Sequence, residues 1–235
     1  TVLLRALGVE SDEEIIRMFG DDERVSATIT RDAPAVNDKG DLRYKSRKDQ
    51  ALIEVYNKLR PGEPPSVDSA TSLLNSLFFD PKRYDLAHVG RYKFNKKLAL
   101  ANRIANREIA DAVKNPYTGE ILAEAGEVVT RDMAERLQNA GVNEVVIRVE
   151  GRPVRVIGNN FAFLKPFMAD YDPDLYAQYD ESVVRFTERV HVPTLVELLT
   201  RVREDGLPLN QALKEAQGRL VPKHVLVDDV VSSVS

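Results

Sequence analysis

The spacing of apolar residues changes near residue 110, and this change limits the folds that the chain can adopt. Before it, apolar residues recur every three or four positions, as on one face of a helix. Ser11, with Glu14 three residues later, and Ser66 before an apolar run are N-cap signals. We therefore predict three helices in this part, over residues 12–19, 48–59 and 66–78.

After residue 110, short apolar runs alternate with turn signals. Thr130 precedes a helix predicted over residues 132–139, and Gly141 ends it. Strands are predicted over residues 142–149 and 153–157, where β-branched residues predominate. A further helix is predicted from about Pro193 to about Glu204.

These patterns together predict an α+β fold with two parts. Residues 1–110 form a mostly helical and basic portion, and residues 111–225 form a small mixed α/β domain.

The formal net charge of −4 is unevenly distributed along the 235 residues. Residues 1–41 sum to about −5, residues 42–107 to about +8 and residues 108–235 to about −7. Most of such a surface repels phosphates while one segment attracts them. The distribution therefore indicates a nucleic-acid partner for the middle third of the chain.

Composition narrows the remaining possibilities. No apolar run approaches the roughly 20 residues that a bilayer-spanning helix needs, so we expect no membrane partner. The chain has no cysteine, which excludes disulfides and thiolate metal sites and fits a cytoplasmic location. Thr1 opens into an apolar segment and residues 230–235 end without a capping signal. We expect both ends to be cuts from a longer chain, with a terminus that has lost its initiator Met as the alternative.

Residues 82–97 are the densest cationic segment, with six cations, three aromatic residues and one acid. Cations neutralise phosphates, and aromatic faces stack on exposed bases. The alternative is a solvated helix or loop face whose aromatic rings point into the core. Without further context, composition favours this alternative.

Residues 60–65, Arg-Pro-Gly-Glu-Pro-Pro, break the helix predicted over residues 48–59, because proline disfavours helix in the residue before it. This rigid turn presents Arg60 and Glu63. Arginine suits bidentate contact with phosphate or guanine, and glutamate can accept from base amino groups. A plain connector between two helices is the alternative, and composition alone favours it.

Asp170, Asp172 and Asp174 stand at alternate positions, where three carboxylates can converge on a divalent cation. The calcium loop and the magnesium motif that this stretch superficially resembles both need a glycine to fold the carboxylates inward. Pro173 and Leu175 occupy those positions. We therefore expect a solvated acidic turn, and a metal-dependent enzyme is the least favoured hypothesis.

Catalytic patterns are missing from the sequence. His88, His191 and His224 are far apart, and none has a partner histidine at ligand spacing. No nucleophile elbow or phosphate-cradling glycine loop occurs. We expect the histidines to be packed or exposed and the chain to carry no catalytic residue.

Four segments occur in an order that is typical of one family. They are residues 1–8 (TVLLRALG), 60–65 (RPGEPP), 78–86 (FFDPKRYDL) and 89–98 (VGRYKFNKKL). Together they resemble the β subunit of bacterial DNA-directed RNA polymerases. In the second half, residues 118–127 (TGEILAEAGE), followed by Gly141-Val142, resemble the β–β′ module. Residues 226–234 (LVDDVVSSV) resemble the point at which the family chain re-enters its lobe.

The resemblance implies a location and a set of DNA contacts. Residues 1–110 and 226–235 would belong to the second lobe of the β subunit, one wall of the DNA cleft, and residues 111–225 to an insert domain. The implied contacts are with the non-template strand and downstream DNA. The DNA-binding residues implied are Arg60, Glu63 and Arg83, with Arg91, Lys93 and Lys96 as weaker candidates.

The resemblance also implies the partners, which are DNA and the other polymerase subunits (β′, α and the sigma factor). The nucleotidyltransferase centre and its magnesium would lie elsewhere in the polymerase, so we expect no metal or cofactor in this chain. The alternative hypothesis is a docking surface on residues 111–225 for a transcription factor or a neighbouring subunit.

Overall fold

Helices make up the first part of the computed structural model, which describes residues 1–20, 22–37, 39–40 and 43–234. The helices of residues 1–84 are α1 (Val2–Ala6), α2 (Asp12–Phe19), α3 (Glu23–Arg31), α4 (Arg47–Leu59) and α5 (Val67–Phe78). Ser11 Oγ accepts from the Glu14 N–H at 3.0 Å, and Ser66 Oγ accepts from the Ser69 N–H at 3.1 Å. Each bond satisfies an N–H group that the start of a helix leaves unpaired, which confirms both predicted N-caps.

Helices α1, α4 and α5 share a small core. Ala6 of α1, Leu52 and Tyr56 of α4, and Leu74 of α5 are buried against one another. Helix α3 differs, because none of its residues is fully buried. Its sequence contains several β-branched residues, which are weak helix formers, so no helix is predicted there from residue spacing.

Residues 85–234 combine helices with short strands. In chain order they are α6 (Ala87–Leu98), α7 (Leu100–Ile104), β1 (Glu108–Ile109), β2 (Val113–Lys114), β3 (Ile121–Ala123), α8 (Arg131–Asn139), β4 (Glu144–Val149), β5 (Arg152–Ile157), β6 (Phe161–Ala162), α9 (Leu164–Tyr171), α10 (Pro173–Tyr176), β7 (Val190–His191), α11 (Val192–Asp205), α12 (Leu209–Glu215), α13 (Gln217–Leu220) and α14 (Val227–Val234).

The sheets of this part are small and antiparallel. One has the strand order β1-β4-β5, and β2 pairs with β3 and β6 with β7. In the described residues, helices outweigh these strands, so the predicted α+β class is confirmed. Thr130 Oγ1 accepts from the Met133 N–H at 3.2 Å, which confirms the predicted cap of α8. None of the helices described is both long and apolar enough to cross a bilayer.

The chain divides into two compact units between Tyr84 and Asp85, upstream of the change in sequence pattern near residue 110. The reason is that α7 contributes Leu100 and Ile104 to the core beneath the β1-β4-β5 sheet. Residue spacing shows where strands begin, whereas packing decides which helices share their core. The assignment of residues 1–110 and 111–225 to two modules of a related family stays a prediction. The final residue of the predicted return segment, Ser235, lies outside the described residues.

Gly141, just after α8, is required by both backbone geometry and space. Its φ is +84°, in the region that favours glycine. A Cβ atom there would lie 2.6 Å from Cε2 of Tyr117 and 2.9 Å from Cε2 of Phe167. These two rings pack edge to face with centroids 5.5 Å apart. The close approach of the glycine therefore holds the end of α8 against an aromatic cluster.

We expect Gly141→Ala to lower the free energy of unfolding by about 1–3 kcal/mol more than Gly126→Ala does. Gly126 is a matched control because its φ is +90° and no atom lies within 4 Å of an added Cβ. Both substitutions force an alanine into a positive-φ conformation. Only the Cβ atom added at Gly141 also collides with the aromatic rings. Urea unfolding followed by circular dichroism measures the difference, and equal losses would contradict the crowding.

Candidate nucleic-acid interface

The Arg60 turn has the geometry that its sequence demands. Helix α4 ends as the Arg60 N–H donates to the backbone oxygen of Tyr56 at 2.8 Å. The Glu63 N–H then donates to the backbone oxygen of Arg60 at 3.3 Å, and Gly62 has a φ of +90°. Proline at the second position and a positive-φ glycine at the third define a type II turn. The turn therefore brings Arg60 and Glu63 side by side at the end of the helix.

Glu63 organises the side chains of this turn. Its carboxylate accepts from the Tyr56 hydroxyl at 2.8 Å and from Arg60 Nη1 at 3.3 Å. The hydrogen bond to Glu63 is the main cause that raises the pKa of Tyr56. Arg60 and Glu63 remain 54% and 51% exposed. Because a guanidinium has five N–H donors and a carboxylate about four acceptor sites, both groups keep capacity for a ligand.

Arg83 lies in a turn that Asp80 organises. The N–H groups of Arg83 and Tyr84 donate to the backbone oxygen of Asp80 at 3.1 and 3.0 Å, and Asp80 Oδ1 accepts from the Lys82 N–H at 2.9 Å. The guanidinium carbon of Arg83 lies 5.9 Å from the centroid of the Tyr84 ring, and both side chains are exposed. This pair presents a cation beside an aromatic ring, a combination that suits phosphates and exposed bases.

Helix α6 has two opposite faces. Lys93 and Lys96 are exposed, as is Tyr92, at 56%. Arg91 and Asn95 are buried. A helix turns about 100° per residue, so Lys93 and Lys96 point well away from Arg91. The two lysines are thus accessible to a phosphate, and the arginine is not.

Arg91 is a buried ion-pair residue with 0% exposure. Its Nη1 donates to both carboxylate oxygens of Asp229 at 2.9 Å, and its Nε donates to the backbone oxygen of Pro222 at 2.8 Å. The Phe161 ring centroid lies 5.0 Å from the guanidinium carbon. A side chain with no exposed surface cannot touch a phosphate, so the expectation that Arg91 contacts DNA is corrected. The sequence holds no signal for this pairing, because the two partners lie 138 residues apart.

Two asparagines complete the buried network. Asn159 Nδ2 donates to Asp229 Oδ1 at 3.0 Å and to Asn95 Oδ1 at 3.1 Å. Asn95 Oδ1 also lies 3.4 Å from Arg91 Nη1. The network therefore joins α6, α14 and the segment between β5 and β6.

His191 has partners that residue spacing does not reveal. Its Nδ1 lies 2.8 Å from Thr194 Oγ1, and its Nε2 lies 3.3 Å from Asp228 Oδ2. The Asn160 amide also donates to Asp228. Burial raises the pKa of Asp228, but the hydrogen bonds from His191 and Asn160 outweigh burial and lower that pKa overall. The ionised carboxylate ties β7 to the first turn of α14.

The acidic turn of residues 170–174 forms ion pairs with Arg203. Asp172 caps α10, as its Oδ1 accepts from the Leu175 N–H at 3.0 Å. Arg203 Nε donates to Asp172 Oδ2 at 2.8 Å, and its Nη2 lies 3.4 Å from Asp174 Oδ2. The bond from Arg203 is the main cause that lowers the pKa of Asp172. Within the described ranges, no cluster of three or more His, Cys, Asp or Glu residues could hold a metal ion.

Comparison with known proteins agrees with the resemblance of the four segments. A family model described as RNA polymerase Rpb2, domain 2, matches residues 1–113. This match identifies the first part of the chain as similar to the second domain of an RNA polymerase subunit of the Rpb2 type.

Curated relatives make the assignment more specific. The "DNA-directed RNA polymerase subunit beta" of Clostridioides difficile is 48% identical over the whole chain, that of Clostridium acetobutylicum 46%, and that of Acetivibrio thermocellus 44%. The chain spans 17% of the length of each of these relatives. The chain belongs to the family of bacterial RNA polymerase β subunits, which confirms the resemblance.

We expect Asp229→Ala to lower the free energy of unfolding by about 3–5 kcal/mol, because it leaves the buried charge of Arg91 without its partner. Glu197→Ala is the control, since it removes one half of the exposed Arg219–Glu197 pair and should cost less than about 1 kcal/mol. Urea unfolding of the three proteins measures both effects. Similar losses for the two variants would contradict the structural role of the buried pair.

Proposed function

We propose that this chain acts within the β subunit of a DNA-directed RNA polymerase, a nucleotidyltransferase, and forms part of the wall of its DNA cleft. There it contacts the non-template strand and downstream DNA during transcription. The observation that carries the proposal is the exposure of the cations Arg60, Arg83, Lys93 and Lys96 in the one third of the chain with positive net charge. The polymerase context is supported by the similarity of the chain to RNA polymerase β subunits.

Each group offers a different contact with DNA. Arg60 and Arg83 have planar guanidinium groups that can donate two parallel bonds to one phosphate. Lys93 and Lys96 act as point charges, which release counterions from the DNA without reading its sequence. Glu63 can accept from a base amino group while it keeps Arg60 in place.

The proposed setting includes partners that the chain itself does not contain. We propose that β′, α and the sigma factor surround it in a cytoplasmic, nucleoid-associated polymerase. The catalytic residues and the magnesium ion would be supplied by other parts of that enzyme. In this arrangement the chain positions DNA and takes no part in bond formation.

We expect a polymerase that carries Arg60→Ala and Arg83→Ala to form shorter-lived open complexes. Each lost phosphate contact should reduce the salt slope of DNA binding by about 0.9, so the double variant should lose nearly 2. Arg203→Lys combined with Arg219→Ala is the control, because it changes two arginines that pair with acidic residues of the second unit. Open-complex lifetimes at several salt concentrations measure the effect. Lifetimes equal to those of the unmodified enzyme at every salt concentration would overturn the proposal.

A second candidate function is protein docking through residues 111–225. A groove of about 210 Å³ favours it, because Leu122, Met133, Leu137 and Pro166 give the groove an apolar lining. Apolar grooves with a few polar groups at the rim are typical of docking sites. The proposed occupant is a transcription factor or a neighbouring subunit of the polymerase.

For this second candidate, we expect a photo-crosslinker in place of Leu122 to form a crosslink with a transcription protein in the assembled polymerase. A crosslinker in place of the exposed Leu207, which does not line the groove, is the control. Crosslinks confined to the chain itself would contradict docking at this groove.

A further inference from the structure

A groove of about 440 Å³ lies between α6 and α14, within the second unit. This volume falls in the range of sites that hold small ligands, about 300–1,000 Å³. Its lining residues are Lys93, Phe94, Lys97, Leu98, Arg103, Ser232 and Ser233. Three of them are cationic and none is acidic, so the groove favours an anion.

The two lysines stand one helical turn apart on α6. Lys93 and Lys97 have i,i+4 spacing, at which like charges repel each other. Helix α6 contains no acidic residue that could offset this repulsion. An anion bound between the two ammonium groups would relieve it, and Lys97 would then gain a charge-assisted hydrogen bond.

Arg103 adds a third positive charge to the lining of the groove. Its Nη1 donates to the backbone oxygens of Ile157 at 2.6 Å and of Ser232 at 3.0 Å, which fixes the guanidinium in place. Burial lowers the pKa of Arg103, because the charge is poorly solvated there. The guanidinium therefore adds its charge to the groove from a fixed position.

The remaining surface of the groove is apolar. Phe94 and Leu98 are one turn apart on α6, beside the two lysines. The buried guanidinium carbon of Arg91 lies 6.0 Å from the centroid of the Phe94 ring, so the ring has a cation beside it on the protein side. An aromatic ring at the edge of a cationic groove can pack against a flat base.

We propose that this groove binds a nucleotide unit, with its phosphate between Lys93 and Lys97 and its base against Phe94 and Leu98. The unit comes either from a free nucleotide or from a single strand of nucleic acid, since both present the same phosphate and base. Lys93 is shared with the proposed DNA contacts, whereas Lys97 is not. The test therefore rests on Lys97, and it does not depend on Arg60 or Arg83.

Titration calorimetry of the 235-residue chain tests the proposal with three probes: ATP, inorganic pyrophosphate and a single-stranded oligothymidylate of about ten nucleotides. We expect ATP or the oligothymidylate to bind more tightly than pyrophosphate. Lys97→Ala should weaken that binding by about tenfold, and Lys97→Arg should retain most of it. Lys214→Ala is the control, because it removes the same charge from an exposed position that does not line the groove.

The probe that binds identifies the source, free nucleotide or single strand. Failure of all three probes to bind would overturn the proposal, as would equal losses in Lys97→Ala and Lys214→Ala. Pyrophosphate binding as tight as ATP binding would overturn the role of the apolar surface. Thermal unfolding of the variants checks that each is folded. The open-complex experiment uses Arg60 and Arg83, so the two proposals fail independently.

Discussion

The contact between the guanidinium of Arg91 and the carboxylate of Asp229 holds the second unit together at its first and last helices. Both groups are almost fully removed from solvent, and the partners at hand, Asn95, Asn159 and a backbone oxygen, satisfy much of their remaining hydrogen-bonding capacity. Removal of either charge would leave the other buried and unpaired, which is costly in a medium of low dielectric. The rotation of α6 about its axis is therefore fixed by this pair.

The orientation of α6 about its axis determines which of its side chains are exposed to solvent. With Arg91 turned inward, Lys93, Lys96 and Tyr92 face solvent, and Lys97 borders the groove beside α14. In the first unit, the Arg60 turn is fixed by different means, namely a positive-φ glycine and the carboxylate of Glu63. In both places the backbone that carries the cation is fixed before any ligand arrives. Such preorganisation reduces the entropy that binding costs.

Local signals allowed much of the fold to be predicted from the sequence. Ser11, Ser66 and Thr130 each cap the helix that the residue pattern indicates, because capping depends only on residues three positions away. The four family segments likewise identified the family. Helix α3 was missed because its apolar residues Val25, Ala27 and Ile29 stand at alternate positions, and its β-branched residues are weak helix formers. The division into compact units between Tyr84 and Asp85 depends on where α7 packs, which residue spacing does not show.

The candidate site was less predictable, and Arg91 shows why. In the sequence it is one of six cations in residues 82–97, and nothing nearby distinguishes it from Lys93 or Lys96. Its burial follows from Asp229, 138 residues away, and from the ring of Phe161. Contacts at such separation depend on the completed fold. Charge density therefore located the positive segment. It could not distinguish the buried Arg91 from the exposed Lys93 and Lys96.

Because α6 packs against α14, the second unit begins and ends at neighbouring positions. The chain leaves along α6, builds three small sheets and their helices, and returns beside its starting point in α14. Segments whose two ends are adjacent can gain or lose length with little disturbance to the structure that carries them. Insertions or deletions in the exposed turns between α7 and α14 should therefore leave the Arg91–Asp229 pair at the base of the unit intact.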